Sequence, residues 1–149
     1  MTNEEVKELF RDVDADRGKA LRMFNEMPVE YIEQGSFISN LWHRKEYAFC
    51  FNDKKWECKR PYEEPRMIRG TIPDEAVKRF FNDVLWIAGA DDRQLNPDSR
   101  AIDAASYSLS VFGKKLFWDA SAIDENGDPR YNKLNEAINR LIGSLKKDD

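Results

Sequence analysis

Two stretches of the chain alternate apolar with small or polar residues, and in an extended strand this spacing places the two kinds on opposite faces. The later stretch, from Tyr107 to Val111, places three apolar residues alternately with two serines. A turn at Gly113-Lys114 follows, and Leu116-Phe117-Trp118 continues the apolar pattern. This arrangement predicts a β-hairpin, and its serine face predicts an antiparallel sheet with one side exposed to water.

The earlier stretch predicts a second hairpin. Tyr47, Phe49 and Phe51 alternate with smaller residues, the polar run Asn52–Lys55 supplies a turn, and Trp56-Glu57-Cys58 returns. The three aromatic residues at alternate positions are therefore expected to form the core face of a sheet. The segment Arg66–Thr71 could add another short strand.

Both cysteines lie in this hairpin. If its loop is Asp53-Lys54-Lys55, Cys50 faces Cys58, and a disulfide between them is geometrically possible. Two cysteines in 149 residues are not a disulfide scaffold, so reduced thiols in a reducing compartment are the favoured interpretation. The spacing is also not that of a zinc knuckle, and the single histidine leaves a ligand missing. We therefore predict no metal site.

Helical spacing dominates the remaining segments. A helix is predicted over Asp74–Ala88 after Pro73, and another over Asp128–Lys146 with Asp128 as N-cap. An N-terminal pair is predicted from a capping box at Thr2–Glu5 and from Asp16–Met27, with Leu21 and Phe24 turned inward. The predicted fold is a single α+β domain over residues 1–149. It consists of a mainly antiparallel sheet of four to six strands, packed by helices largely on one face.

Composition narrows the class of protein. The chain is 41% hydrophobic and 35% charged with a net charge of −4, which is typical of a globular protein and not of a disordered one. No apolar run approaches the roughly 20 residues of a membrane helix, and the acidic start is unlike a signal peptide. We expect a cytoplasmic protein without a membrane partner.

Motifs that would indicate catalysis are weak. Asp12–Asp16 resembles the start of a calcium loop, but its sixth and twelfth positions are Arg17 and Met23, so helix capping is the better interpretation. His43 could pair with a cysteine as base and nucleophile, yet no surrounding motif supports this. No glycine-rich phosphate loop is present. We predict no catalytic residue and no cofactor, which favours a protein that is not an enzyme.

The remaining signal is a basic, aromatic segment from Leu41 to Gly70. It carries eight Lys/Arg and five Asp/Glu, a net of +3, while the whole chain is −4, so all other residues sum to −7. Tryptophan, tyrosine and arginine are enriched at protein-binding hot spots, and lysines with aromatic residues also suit single-stranded nucleic acid. The candidate binding residues are Trp42, Arg44, Lys45, Lys54, Lys55, Trp56, Lys59, Arg60 and Tyr62.

Three functional hypotheses follow. The favoured one is a non-enzymatic interaction protein that binds another protein, as an inhibitor or immunity-type partner of bacterial or phage origin would. The first alternative is a nucleic-acid-binding domain, which is less favoured because the positive excess is small. The second is a small-molecule-binding domain, which would require a concave pocket with converging polar groups.

Overall fold

A computed structural model describes residues 17–36, 42–90, 105–123 and 128–148. Within these ranges there are three α-helices: α1 (Arg17–Glu26), α2 (Asp74–Gly89) and α3 (Pro129–Ser144). A short 3-10 helix spans Ala120–Ile123. The predicted capping box at Thr2–Glu5 and the Asp12–Asp16 segment lie outside the described residues. The predicted helix over Asp16–Met27 is confirmed as α1.

In the described part of the chain, seven antiparallel strands form one sheet. They are β1 (Val29–Gln34), β2 (Arg44–Cys50), β3 (Lys55–Lys59), β4 (Met67–Thr71), β5 (Ser106–Val111), β6 (Lys114–Asp119) and β7 (Lys146–Lys147). Their spatial order is β6-β5-β1-β2-β3-β4-β7. The expected α+β class and both predicted hairpins, β2–β3 and β5–β6, are confirmed. The expectation of four to six strands is wrong, because the sheet has two strands that the sequence patterns did not predict.

The first of these strands is β1, an interior strand of the sheet. It pairs with β2 on one side and with β5 on the other, so it joins the two hairpins into one structure. The second is β7, where Lys146 and Lys147 pair with the end of β4. The final helix, predicted over Asp128–Lys146, ends earlier at Ser144, and the chain then extends along the sheet edge.

The two faces of the sheet differ in what covers them. On one face, alternate residues such as Tyr31, Tyr47 and Leu109 are buried in a single hydrophobic cluster that also contains the inner sides of all three helices. The rings of Phe24 (α1) and Phe51 stack at 4.2 Å between centroids, and Trp118 lies 5.4 Å from Tyr131 of α3. We call the opposite side the open face. Its residues are mostly exposed or half-buried, as the alternation with serine predicted.

Two helix ends are fixed by specific side chains. Asp128 accepts the backbone N–H of Arg130 at 2.9 Å and Pro129 takes the first helical position, so the predicted N-cap of α3 is confirmed. The last turn of α2 is held by Lys114 of β6, whose ammonium donates to the carbonyl oxygens of Ile87, Ala88 and Ala90. This contact joins the β5–β6 hairpin to the helix layer.

In α1, Phe24 is buried as expected, but Leu21 is 46% exposed. The helix touches the core along a narrow stripe that contains Ala20 and Phe24, so the neighbouring position falls outside it. Among the described helices, none is long and apolar enough to cross a membrane.

Candidate functional site

The predicted binding residues do not form one continuous surface. Because β2 and β3 are antiparallel, the start of β2 lies beside the end of β3, and Glu46 is opposite Lys59. Lys54 and Lys55 lie at the opposite end of the hairpin, about 13 Å away along the strand. The structure therefore separates these two lysines from Trp42, Arg44, Lys45, Lys59, Arg60 and Tyr62.

Trp56 is not part of any exposed surface. It is only 6% exposed, lies in the core cluster and donates its indole N–H to the carbonyl oxygen of Lys146 at 3.2 Å. Its inclusion among the candidate binding residues is wrong. The β2–β3 register places Trp56 opposite Phe49, on the face that the helices cover.

The same register shows which residue lies opposite each cysteine. Cys58 lies opposite Tyr47 and is fully buried, whereas Cys50 lies opposite Lys55 and is exposed. The register in which Cys50 would face Cys58 does not occur, because the turn spans Phe51–Lys54 and the observed pairing differs from that register by an odd number of residues. Both thiols are free, as the favoured interpretation predicted.

Two exposed aromatic side chains meet at one corner of the sheet. Trp42, immediately before β2, is 68% exposed, and Tyr62, in the β3–β4 connection, is 51% exposed. Their rings contact edge to face with 5.0 Å between centroids. A hollow of about 360 Å³ opens beside them, lined by Pro61, Glu63, Glu64 and Arg66 as well. We call Trp42, Tyr62 and this hollow the aromatic corner.

Arg60 shapes the loop that carries Tyr62. Its guanidinium donates twice to the carbonyl oxygen of Pro65, at 3.0 and 2.7 Å, and once to the Glu63 carboxylate at 3.2 Å. Its backbone N–H donates to the carbonyl oxygen of Arg66 at 2.6 Å. Since the Arg60 side chain is used in closing the loop, it is a positioning residue and offers little to a partner.

The Trp42 side of the corner is anchored through His43. The His43 carbonyl oxygen accepts from the backbone N–H of Gly35 at 2.7 Å and from the Gln34 amide at 3.2 Å. The His43 imidazole lies 2.9 Å from the Glu33 carboxylate. These bonds attach the residue after Trp42 to the end of β1.

The Glu33–His43 pair resembles the base and orienting group of a catalytic site, but among the described residues neither cysteine lies beside it. The Glu33 carboxylate also accepts a hydrogen bond from the hydroxyl of Tyr31 at 3.2 Å. Burial, reinforced by the Glu33 charge, raises the pKa of Tyr31, so this hydroxyl stays protonated. Burial also raises the pKa of Cys58, which keeps that thiol neutral and weakly nucleophilic. The structure does not join His43 to a cysteine.

Most basic residues near the corner already have acidic partners. Arg44 lies 3.4 Å from Glu46, and Arg66 lies 3.2 Å from Glu64. At the far end of the hairpin, Lys54 contacts Asp74 at 2.7 Å, and this hydrogen bond and charge lower the pKa of Asp74. Lys45 and Lys59 are further basic residues at the same end of the β2–β3 hairpin as the aromatic corner. Glu46 and Glu64 are already counted in the net charge of +3, so among these partners only Asp74 offsets part of it. The positive excess therefore remains, but several of its basic side chains are held in ion pairs.

A second hollow, of about 490 Å³, lies on the open face and is lined in part by Ile32, Arg44, Ser108 and Phe117. It is a broad, shallow depression. Among the described residues, no group of three histidine, cysteine or carboxylate side chains could hold a metal ion.

Comparisons of the chain with protein-family models, with curated proteins and with solved structures return no significant match. A functional argument therefore depends on the geometry of the aromatic corner and of the sheet.

Proposed function

We propose that the protein acts by binding another protein, with the aromatic corner as the anchor of the interface. The observation that carries this proposal is the edge-to-face pair of Trp42 and Tyr62, which are 68% and 51% exposed while most other large rings of the described residues are buried in the core. Aromatic rings have a large apolar area and a polar atom for hydrogen bonding, which is why they concentrate at interface hot spots.

Preorganisation supports the proposal. The loop that carries Tyr62 is closed by Arg60, and the residue after Trp42 is attached to β1 by two hydrogen bonds. An anchor that is already held in position loses less conformational entropy on binding. Glu63, Glu64 and Arg66 surround the hollow and supply a charged rim, the usual boundary of a hot spot.

The charge distribution favours a protein partner over a nucleic acid. A single-stranded nucleic acid needs an open positive groove with stacking rings beside it. Here Arg44, Arg66 and Lys54 each pair with a carboxylate, and the rings of the β2–β3 hairpin are buried.

An inhibitor or immunity-type role is the form of protein binding that we propose. We place it in the cytoplasm, because an exposed free thiol at Cys50 suits a reducing compartment. The hollow of the aromatic corner, about 360 Å³, is large enough to receive one apolar side chain of the partner.

The test is an affinity capture with the full chain and the double variant W42A/Y62A. We expect partners retained by the native chain to be lost with this variant. The matched control is Leu21→Ala, which removes an exposed apolar side chain from α1, and it should retain them. With the captured partner purified, Trp42→Ala should weaken binding by roughly 2 kcal/mol or more in calorimetry.

Two results would contradict the proposal. One is capture that W42A/Y62A leaves unchanged, because binding would then occur elsewhere. The other is salt-dependent retention of single-stranded DNA or RNA that is lost in K54E/K55E, which would indicate the nucleic-acid alternative. Acrylamide quenching checks the premise, since Trp42→Phe should remove most of the quenchable fluorescence of the four tryptophans.

A further inference from the structure

Strand β6 is at one end of the strand order, and among the described strands it pairs only with β5. A strand at a sheet edge presents a row of backbone N–H and C=O groups that another strand can pair with. Native edges are usually protected by charged side chains, proline, bulges or very short strands. β6 has six residues and no proline, its open-face charges Lys115 and Asp119 have opposite signs, and its Phe117 is 58% exposed.

The hydrogen-bond pattern of the hairpin identifies the residues whose backbone points to this edge. Ala120 donates its N–H to the carbonyl oxygen of Ala105 at 3.0 Å, one step beyond the Ser106–Asp119 pair. In an antiparallel pair, hydrogen-bonded and non-hydrogen-bonded positions alternate. The backbone groups of Lys115, Phe117 and Asp119 therefore point away from β5, and their side chains lie on the open face.

These three positions form a self-complementary series: a cation, an aromatic ring and an anion. We propose that β6 pairs antiparallel with β6 of a second copy of this chain, across a twofold axis at Phe117. Phe117 then faces Phe117 of the second copy, and Lys115 faces Asp119 in both directions. The two seven-stranded sheets become one continuous sheet, with both open faces on the same side.

Charge selects this register among those that keep the two faces aligned. Moving the axis to Leu116 places Lys115 opposite Phe117 and loses both ion pairs. A further shift places Lys115 opposite itself, and like charges directly opposite each other are unfavourable in a sheet. In the proposed register every outward-facing position has a partner, and three pairs can exchange about two backbone hydrogen bonds each.

The same surface patch serves both copies, so the interface is isologous and closed. Its location on β6 separates it from the aromatic corner by strands β5 and β1, and it does not depend on the proposed function. A single pair of strands buries little area, so we expect a weak dimer that forms at about micromolar to millimolar concentrations.

Disulfide trapping tests the register directly. In a Cys50→Ser background, Phe117→Cys should give a covalent dimer under mild oxidation. Directly opposed Cα atoms at a hydrogen-bonded pair are about 5.5 Å apart, within the range that a disulfide spans. Lys115→Cys is the matched control, because two copies of residue 115 would be about 13 Å apart and should not crosslink. Equal crosslinking of both variants, or none with Phe117→Cys, would overturn the proposal.

Charge reversal in the otherwise native chain gives an independent test by analytical ultracentrifugation. Lys115→Glu should weaken dimerisation roughly tenfold, since it replaces two attractive cross-strand pairs by repulsive ones. The swapped variant K115E/D119K should recover the native association. If Lys115→Glu leaves the association unchanged, or if the native chain stays monomeric at millimolar concentration, no such dimer forms.

Discussion

The carbonyl oxygen of Lys146 accepts the indole N–H of Trp56 at 3.2 Å and lies directly over Gly70. A Cβ atom at Gly70 would be only 1.8 Å from that oxygen. The glycine in β4 therefore lets the end of the chain approach the sheet closely enough to satisfy a buried tryptophan.

Gly70→Ala should destabilise the protein by about 1–3 kcal/mol, because β7 must move and the Trp56 hydrogen bond is lost with it. Urea unfolding followed by circular dichroism measures this change. Gly143→Ala is the control: nothing lies within 4 Å of the added methyl group, and alanine in a helix should stabilise by up to about 1 kcal/mol. Equal stability of Gly70→Ala and the native chain would contradict the close approach of β7.

Lys114→Met should destabilise the protein by roughly 1–3 kcal/mol. The methionine keeps the apolar stem but leaves the carbonyl oxygens of Ile87, Ala88 and Ala90 without their cationic donor. Thermal or urea unfolding measures the loss. Lys55→Met, at an exposed strand position, should change stability by no more than about 0.5 kcal/mol. A similar effect of the two substitutions would show that the Lys114 contacts contribute nothing specific.

Asp128 predicts a pH dependence of stability. Burial acts to raise the pKa of its carboxyl group, but hydrogen bonds and the charge of the buried Arg130 outweigh it, so the pKa lies below the usual range. A depressed pKa in the folded state stabilises folding at pH values above the unfolded pKa of about 3.9. That stabilisation is lost as the pH falls through the lower, folded value.

Asp128→Asn should cost about 3–5 kcal/mol at pH 7, because asparagine can still cap the helix but leaves the Arg130 charge uncompensated. The difference in stability between the variant and the native chain should shrink below about pH 4. At that pH the Asp128 carboxyl group of the unfolded native chain begins to be protonated, so its contribution to folding begins to fall. Urea titrations at several pH values measure both effects. A difference that does not depend on pH would show that the charge of the Asp128 carboxylate is not what stabilises the fold.

The two cysteines should react with thiol reagents at very different rates. Cys50 is exposed, whereas Cys58 is fully buried and burial raises its pKa. We expect one thiol of the native chain to react quickly with Ellman's reagent and the second only on unfolding. Cys50→Ser should abolish the fast reaction. Two fast thiols, or none, would contradict the β2–β3 register.

Local sequence patterns predicted the helices and hairpins whose own residues carry clear start, turn and periodicity signals. The helices α2 and α3 have wide apolar faces and standard signals at their starts, such as Asp128 followed by Pro129. The two hairpins show alternation and turn residues. The exposure of Trp42 and Tyr62 agrees with their position in polar connections, but no pattern indicated that the two rings would meet.

Strand β1 shows why the rest was not predictable. Its sequence, Val29–Gln34, carries only three apolar residues and is short, so alone it has no distinctive period. It becomes an interior strand because it pairs with β2 on one side and β5 on the other, and the contacts with β5 connect residues far apart in the chain. Tertiary pairing, and not local preference, stabilises it.

By itself, the sequence determined the α+β class, the hairpins and the helices, because periodicity and capping act over a few residues. Only the tertiary structure decided the register between β2 and β3, and with it the face on which Trp56 and Cys58 lie. The β2–β3 turn occupies Phe51–Lys54, one residue longer than the predicted loop, and the resulting register places Trp56 opposite Phe49 and Cys58 opposite Tyr47 on the buried face. Phe51, the first residue of that turn, stacks on Phe24 of α1, a contact between distant parts of the chain that no local pattern encodes.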